Sequence, residues 1–315
     1  MGMELVTGGA GFIGSHLVDA LVERGLRVRV LDNFSSGKES FLEHHGSDGM
    51  VEIVRGDLLD REGVLSAMEG VDTVHHLAAN PDIRLGTEVT DTDLRQGTIA
   101  TYNVLEAMRL AGVGRISFSS TSAVYGEADQ MPTPETYGPI MPISLYGASK
   151  LASEALITAW VGTFGAQGLI HRFANIVGPR GTHGVIFDFI HKLKLDPTRL
   201  EVLGDGKQEK SYMSAHDCVS SMLHLLDINE EGSNMYNLGT GETCSVSRIA
   251  EIVVEESGLD DVAVEYTGGR RGWAGDVPKT YLDVSKLLQT GFEPTTSSEQ
   301  AIRDTARALI GEIGL

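Results

Sequence analysis

Glu4-Leu5-Val6-Thr7-Gly8-Gly9-Ala10-Gly11-Phe12-Ile13-Gly14-Ser15-His16-Leu17 is the stretch from which the architecture of this 315-residue chain can be read. A short apolar strand runs into glycines at 8, 11 and 14, and an amphipathic run over 17–24 follows. Glycines in that place allow a tight turn, a close approach of backbone to a pyrophosphate, and close packing of helix on strand. Free N–H groups at the helix start then hold phosphate. Spaced glycines alone say little; the strand and helix on either side give these their meaning.

Outward from that turn, a second strand over 27–31 ends at Asp32, 18 residues after Gly14. A carboxylate there accepts both ribose hydroxyls and repels a 2′-phosphate, which favours NAD over NADP. Asn33, Ser35, Ser36 and Gly37 form a polar turn that fits an adenosine contact and fits a plain loop equally well. A third strand, 51–55, leads to Asp57 and Leu58, with Asp57 placed to meet the adenine amino group, and a fourth spans 71–77. Ala78 and Ala79 after it are small enough for a cofactor to lie against backbone. Helix 98–111 and strand 115–119 continue the alternation, which predicts a doubly wound parallel sheet with ligands at the carboxyl ends of its strands. Ser119-Ser120-Thr121-Ser122 closes the fifth strand and puts hydroxyls at the expected nicotinamide end.

Tyr146-Gly147-Ala148-Ser149-Lys150 places a phenol and an ammonium one helical turn apart on one face. Alone, the spacing also fits an exposed tyrosine beside a solvated lysine. Beside a cation and a positive nicotinamide ring, a phenol that ionises near pH ~10 is drawn toward neutrality and becomes a general base. A strand at 169–173 follows, then less regular pieces: helices at 184–195 and 214–227, one after Cys244 capped by Ser245 or Ser247, and one from Ser298 to about 310.

The chain carries 44 acidic and 25 basic residues, a net charge of −19 that argues against nucleic acid as a partner. An anionic substrate must then be met by local cations or helix N-termini. Cys218 and Cys244 are two thiols without the number or spacing of a disulfide framework or zinc site, and no metal is expected. No apolar stretch is long enough for a membrane span, and the first residues run straight into a strand, so a cytoplasmic protein is expected.

The motifs TGGAGFIGSH, DN at 32, GDL at 56, HLAA at 76, SSTSAVYG at 119, YGASK at 146, RFANIVGP at 172, GDGKQEKSY at 204 and RGWAGDVP at 271 cover nearly the whole chain. Together they resemble the extended short-chain dehydrogenases/reductases, specifically the NAD-dependent nucleotide-sugar epimerase/dehydratase family, and look most like its archaeal-type UDP-glucose 4-epimerases. The resemblance implies a Rossmann-type domain over 1–178 to which the chain returns at about 211–240. A smaller C-terminal α/β substrate lobe is implied from 179–210 and 241–315. It implies bound NAD along Gly8, Gly11, Phe12, Ile13, Gly14, Asp32, Asn33, Ser35, Ser36, Gly37, Asp57, Leu58, Leu77, Ala78, Ala79, Ser119 and Phe173, with Tyr146 and Lys150. Tyr146 is implied as base, Lys150 as its partner and ribose ligand, and Thr121 as the hydroxyl on the sugar's O4.

A UDP-sugar is the implied substrate, held by Asn175, His183, Val185, Lys210, Arg271 and Thr280 as well as Thr121, in a homodimer joined through helices 98–111 and 146–160. His183 and Trp273 also read as ordinary loop residues. Thr280 reads either as a strand residue or as the small residue that admits an N-acetyl group at C2. Decarboxylases of the family have glutamate at the position of Ala123, and this absence favours C4 epimerisation over decarboxylation or dehydration, while Asp32 argues against the NADPH that carbonyl reductases often prefer. Two departures stand out. Lys210 replaces the usual arginine and loses its two-pronged geometry, and Gly97 replaces the asparagine of an NNV-like run.

Overall fold

The computed structural model describes residues 2–46, 49–229, 231–273 and 275–315. Strand β1 (Met3–Thr7) is buried along its whole length and passes through the glycine turn into helix α1 (Phe12–Glu23). Then come β2 (Arg27–Asp32), β3 (Val51–Arg55), α2 (Arg61–Ala67) and β4 (Thr73–His76). A π-helical turn over Leu94–Ile99 runs into α3 (Ala100–Ala111), followed by β5 (Arg115–Thr121), α4 (Leu145–Phe164) and β6 (Gln167–Phe173). Polar caps set the helix starts: Asp60 accepts from Gly63 N–H before α2, and Ser144 accepts from Gly147 N–H before α4. Gly112 and Gly165, with φ of 74° and 72°, end α3 and α4 in the left-handed conformation that suits a residue without Cβ.

The remaining elements are β7 (Asn175–Val177), α5 (Val185–Leu195), β8 (Arg199–Val202), β9 (Glu209–Lys210), β10 (Tyr212–Ser214), α6 (Ala215–Ile228) and β11 (Gly232–Leu238). After them stand β12 (Cys244–Ser245), α7 (Val246–Ser257), β13 (Ala263–Tyr266), β14 (Lys279–Thr280), α8 (Ser285–Leu288) and α9 (Ser298–Ile313).

Seven strands make one parallel sheet in the order β11-β6-β5-β4-β1-β2-β3, the doubly wound Rossmann arrangement the alternation predicted. Leu5 pairs with Arg29 on one side and Val74 on the other, and Val74 with Ile116. The strand order reverses between β1 and β4, the switch point where such sheets bind ligands.

The chain forms two compact units. The first comprises Met1–Val124, Ser144–Arg172 and Val219–Tyr236, and its core joins Leu5, Val74, Ile116 and Phe118 of the sheet to Val104 and Met108 of α3 and Ile157 of α4. The second comprises Tyr125–Ile143, Phe173–Cys218 and Asn237–Leu315, packed around Ile190 and Leu193 of α5, Ile249 and Ile252 of α7, and Ile302 and Leu309 of α9. No helix among the described residues is long and apolar enough to cross a membrane.

Several elements differ from their sequence reading. The helix expected at 98–111 begins earlier, in the π turn through Gly97, and the strand expected at 71–77 shrinks to Thr73–His76. Strand β11, with two asparagines in Gly-Ser-Asn-Met-Tyr-Asn-Leu, lacks the apolar run of a buried strand and escaped the pattern. Strands β9, β12 and β14 have two residues each, too few to show any period.

Candidate active site

The glycine turn has the shape that its spacing implied. Gly8 has φ of 71°, and a Cβ there would stand 2.8 Å from the backbone of Ala78. At Gly14 an added Cβ would come within 2.1 Å of the Gly8 carbonyl oxygen, and at Gly37 within 2.9 Å of Ala10 Cβ. Gly11 precedes α1 in extended conformation and brings no side chain to cap it. The first N–H groups of the helix, on Phe12, Ile13 and Gly14, have no carbonyl within the helix to bond and suit an anion. Asp32 Oδ2 accepts from Ala10 N–H at 3.0 Å and Oδ1 from Phe34 N–H at 2.8 Å, which fixes the carboxylate between turn and strand end. Asn33 reaches Asp57 at 3.0 Å, while Ser35 and Ser36 stay exposed. Leu58 is buried, whereas Leu77, Ala78 and Ala79 are partly exposed at the end of β4. A carboxylate, a phosphate-sized helix start and a cradle that any Cβ would fill fit a dinucleotide.

Farther along the same sheet, helix α4 puts Lys150 Nζ 2.6 Å from the Ser119 carbonyl at the end of β5 and 4.7 Å from the centre of the Phe118 ring. Nζ also lies 5.9 Å from the centre of the Tyr146 ring. Burial pulls the Lys150 ammonium down to about 7, against the upward pull of Glu154 and Asp93. Burial, then the Asp93 carboxylate, push the Tyr146 hydroxyl up to about 12. Part of Tyr146 remains open to solvent, which softens that push. The chain's own groups therefore do not draw Tyr146 toward neutrality, because burial and the Asp93 carboxylate both act upward; a positive nicotinamide ring would act in the opposite sense. Thr121 ends β5 partly exposed, its Oγ1 accepting from Ala123 N–H at 3.1 Å.

Two buried carboxylates near this pair carried no sequence signal. Asp93 is 2% exposed, is held by Asn80 Nδ2 at 3.1 Å, and is raised above the usual carboxylate range by burial. Glu154 makes a bidentate pair with Arg172, at 3.0 and 2.7 Å, and accepts from Ser120 Oγ. His76 is lowered to about 3 by burial and bridges Thr7 Oγ1 at 2.7 Å and Thr101 Oγ1 at 3.0 Å, linking β1, β4 and α3.

In the second unit, short strands gather Asn175, Lys210 and Thr280. Tyr212 pairs with Asn175 across β10 and β7, Thr280 with Lys210 across β14 and β9, and Asn175 Nδ2 donates to the Ser211 carbonyl at 3.1 Å. Arg271 joins them through Asp276, whose carbonyl accepts from Arg271 Nη1 at 2.9 Å while its Oδ1 stands 2.6 Å from Lys210 Nζ. Arg271 also pairs with Glu127 at 2.9 Å. Asp276 is thus the organiser of the basic pair, a role its place in GDVP did not disclose. His183 is exposed in the loop before α5, Val185 opens that helix, and Phe173 is buried at the end of β6. Ala274 of the RGWAGDVP stretch lies outside the described residues.

Residues 4–239 match the model of the NAD dependent epimerase/dehydratase family. A crystal structure of a UDP-galactose 4-epimerase shares 41% identity at TM-score 0.88, covering 99% of both chains. A Methanocaldococcus jannaschii protein provisionally named UDP-glucose 4-epimerase is 34% identical over 309 residues, 96% of each chain. UDP-glucuronic acid decarboxylase 2 of Arabidopsis thaliana is 32% identical over 309 residues, 95% of this chain and 66% of its own. The glycine cradle, the Asp32 carboxylate and the extent of these likenesses agree: the chain belongs to the NAD-dependent epimerase/dehydratase family, with NAD as its cofactor.

Proposed function

We propose that the chain interconverts the C4 epimers of a UDP-hexose, UDP-glucose and UDP-galactose in the first place. The observation that carries this reading is the stretch Thr121–Gly126, in which no side chain is a carboxylate, joined to a strand end on which Lys150 docks beside Tyr146. Decarboxylation or dehydration of a keto sugar needs an added acid or base in that stretch; epimerisation needs only one proton carrier. NAD, when bound, takes up and returns the C4 hydride. Tyr146 removes the proton of the 4-hydroxyl and later restores it, Thr121 bonds the same oxygen, and Lys150 supports the phenolate and the cofactor ribose. Asn175, Lys210 and Arg271 hold the diphosphate, and Thr280 leaves room for some turnover of N-acetylated sugars.

The test is incubation of the protein with UDP-glucose, and separately with UDP-glucuronic acid, followed by chromatography of the products. UDP-galactose is expected from the first and no pentose from the second; release of a UDP-pentose would replace the reading with decarboxylation. Tyr146→Phe should keep its melting temperature and lose ~10²- to 10⁴-fold in kcat. Homodimerisation through α3 and α4 belongs to the same reading. It is supported by Tyr102, Leu110 and Phe164, 39%, 55% and 52% exposed on those helices. A monomer mass in light scattering would overturn it.

A further inference from the structure

Away from the residues assigned to the proposed reaction, three metal-ligating side chains converge on the flank of α1. His44 Nε2 stands 2.8 Å and His45 Nε2 2.7 Å from the same oxygen, Asp19 Oδ1. All three donor atoms lie within 4.8 Å of one another. Glu43–His45 form a 3₁₀ turn, with His45 N–H donating to the Leu42 carbonyl at 3.0 Å, and successive side chains of such a turn leave the backbone about 120° apart. Both side chains nonetheless bend toward Asp19 Oδ1, and their ring centres lie 4.0 Å apart.

Held by hydrogen bonds alone, both Nε2 atoms must carry a proton toward one oxygen. If both rings are charged, they repel each other at close range, and the half-exposed His44 gains little from its ion pair with Asp19. A metal ion in place of the two protons satisfies both nitrogens and the carboxylate at once. We propose that Asp19 Oδ1, His44 Nε2 and His45 Nε2 form a surface site for one divalent transition-metal ion of the zinc class. Two imidazoles and a carboxylate are a known zinc ligand set, with water completing the tetrahedron. Magnesium and calcium favour sites built from oxygen. Bonds of ~2 Å in a tetrahedron put ligand atoms about 3.3 Å apart, so the nitrogens move outward by about half an ångström. His44, half exposed, has room to do so.

Such an ion ties α1 to the segment that follows Gly37, where Lys38 N–H donates to the Ala10 carbonyl at 2.9 Å. It therefore staples the edge that carries the glycine turn. Binding to the folded chain alone raises its stability by mass action.

The experiment uses the full chain without a polyhistidine tag, stripped with chelator, and titrated with Zn²⁺ by calorimetry and with Co²⁺ by visible absorption. One ion per chain is expected, with the intense Co²⁺ bands of a tetrahedral site and a melting temperature that rises with Zn²⁺. His44→Gln, His45→Gln and Asp19→Asn should each weaken binding at least about tenfold. His44→Gln, at a half-exposed position, keeps the test valid if the other two variants fold poorly. Absence of binding, unchanged affinity in His44→Gln, or equal displacement by Mg²⁺ or Ca²⁺, as from a diffuse acidic surface, would each overturn the site.

Discussion

Lys150 keeps its ammonium against the Ser119 carbonyl while burial draws it from 10.5 to about 7. Between those values the unfolded chain holds a proton that the folded chain has released. Stability from this group therefore rises with pH across that window, at most with the slope that one released proton gives. Lys150→Met should flatten the dependence, read from urea midpoints of both proteins between pH 7 and 10; parallel slopes would refute the burial argument. Asp32 makes a separate case. Its two oxygens are already tied to Ala10 and Phe34 N–H groups, which fixes the carboxylate in place, and a ribose ligand so fixed would repel a 2′-phosphate. Asp32→Ser is expected to raise NADP binding relative to NAD, measured by fluorescence titration with each dinucleotide. An unchanged ratio would assign the preference elsewhere.

At the scale of elements, the π turn before α3 shows why Gly97 stands where the family usually has asparagine. A Cβ at 97 would lie 2.6 Å from Ser149 Oγ and 3.0 Å from Ser149 Cβ, so a side chain collides with α4. Ser149 is itself held by donating to the Tyr146 carbonyl at 2.9 Å, which makes the packing of these helices part of the geometry of Tyr146. Gly97→Ala should cost about 1–3 kcal/mol by overpacking. Adding Ser149→Ala removes the nearer clash and should recover part of the loss, a coupling that chemical denaturation of the two single variants and the double variant measures. Strict additivity would mean that position 97 is not limited by Ser149. The departure was legible in the sequence, but its cause lies on a helix 52 residues away.

For the whole molecule, the net charge of −19 sets two electrostatic effects against each other. Local networks, such as Arg248 with Glu251, Glu255 and Glu299, are attractive and near the surface. The excess of acidic groups repels over longer distances and destabilises the compact state. Raising ionic strength from ~0.01 to ~1 M shortens the screening length from ~30 to ~3 Å. The distant repulsion is screened first, since the paired atoms are in contact. The melting temperature should therefore rise with added sodium chloride, and a fall would show that the ion pairs dominate.

Sequence by itself determined the parallel sheet, the glycine turn and the pairing of Tyr146 with Lys150, because each rests on local sterics or on a helical or strand period. It also marked Asp32, since the distance from a glycine turn to the next strand end is bounded by one helix. Only the tertiary structure decided what surrounds these groups. Asp93 beside the Tyr146–Lys150 pair, Glu154 on Arg172, and Asp276 between Lys210 and Arg271 are contacts across chain separations that no period records. The direction in which Tyr146 is pushed belongs to the same class. A phenol's acidity depends on how much water the closed fold leaves around it, and that follows from packing, not from the spacing of four residues.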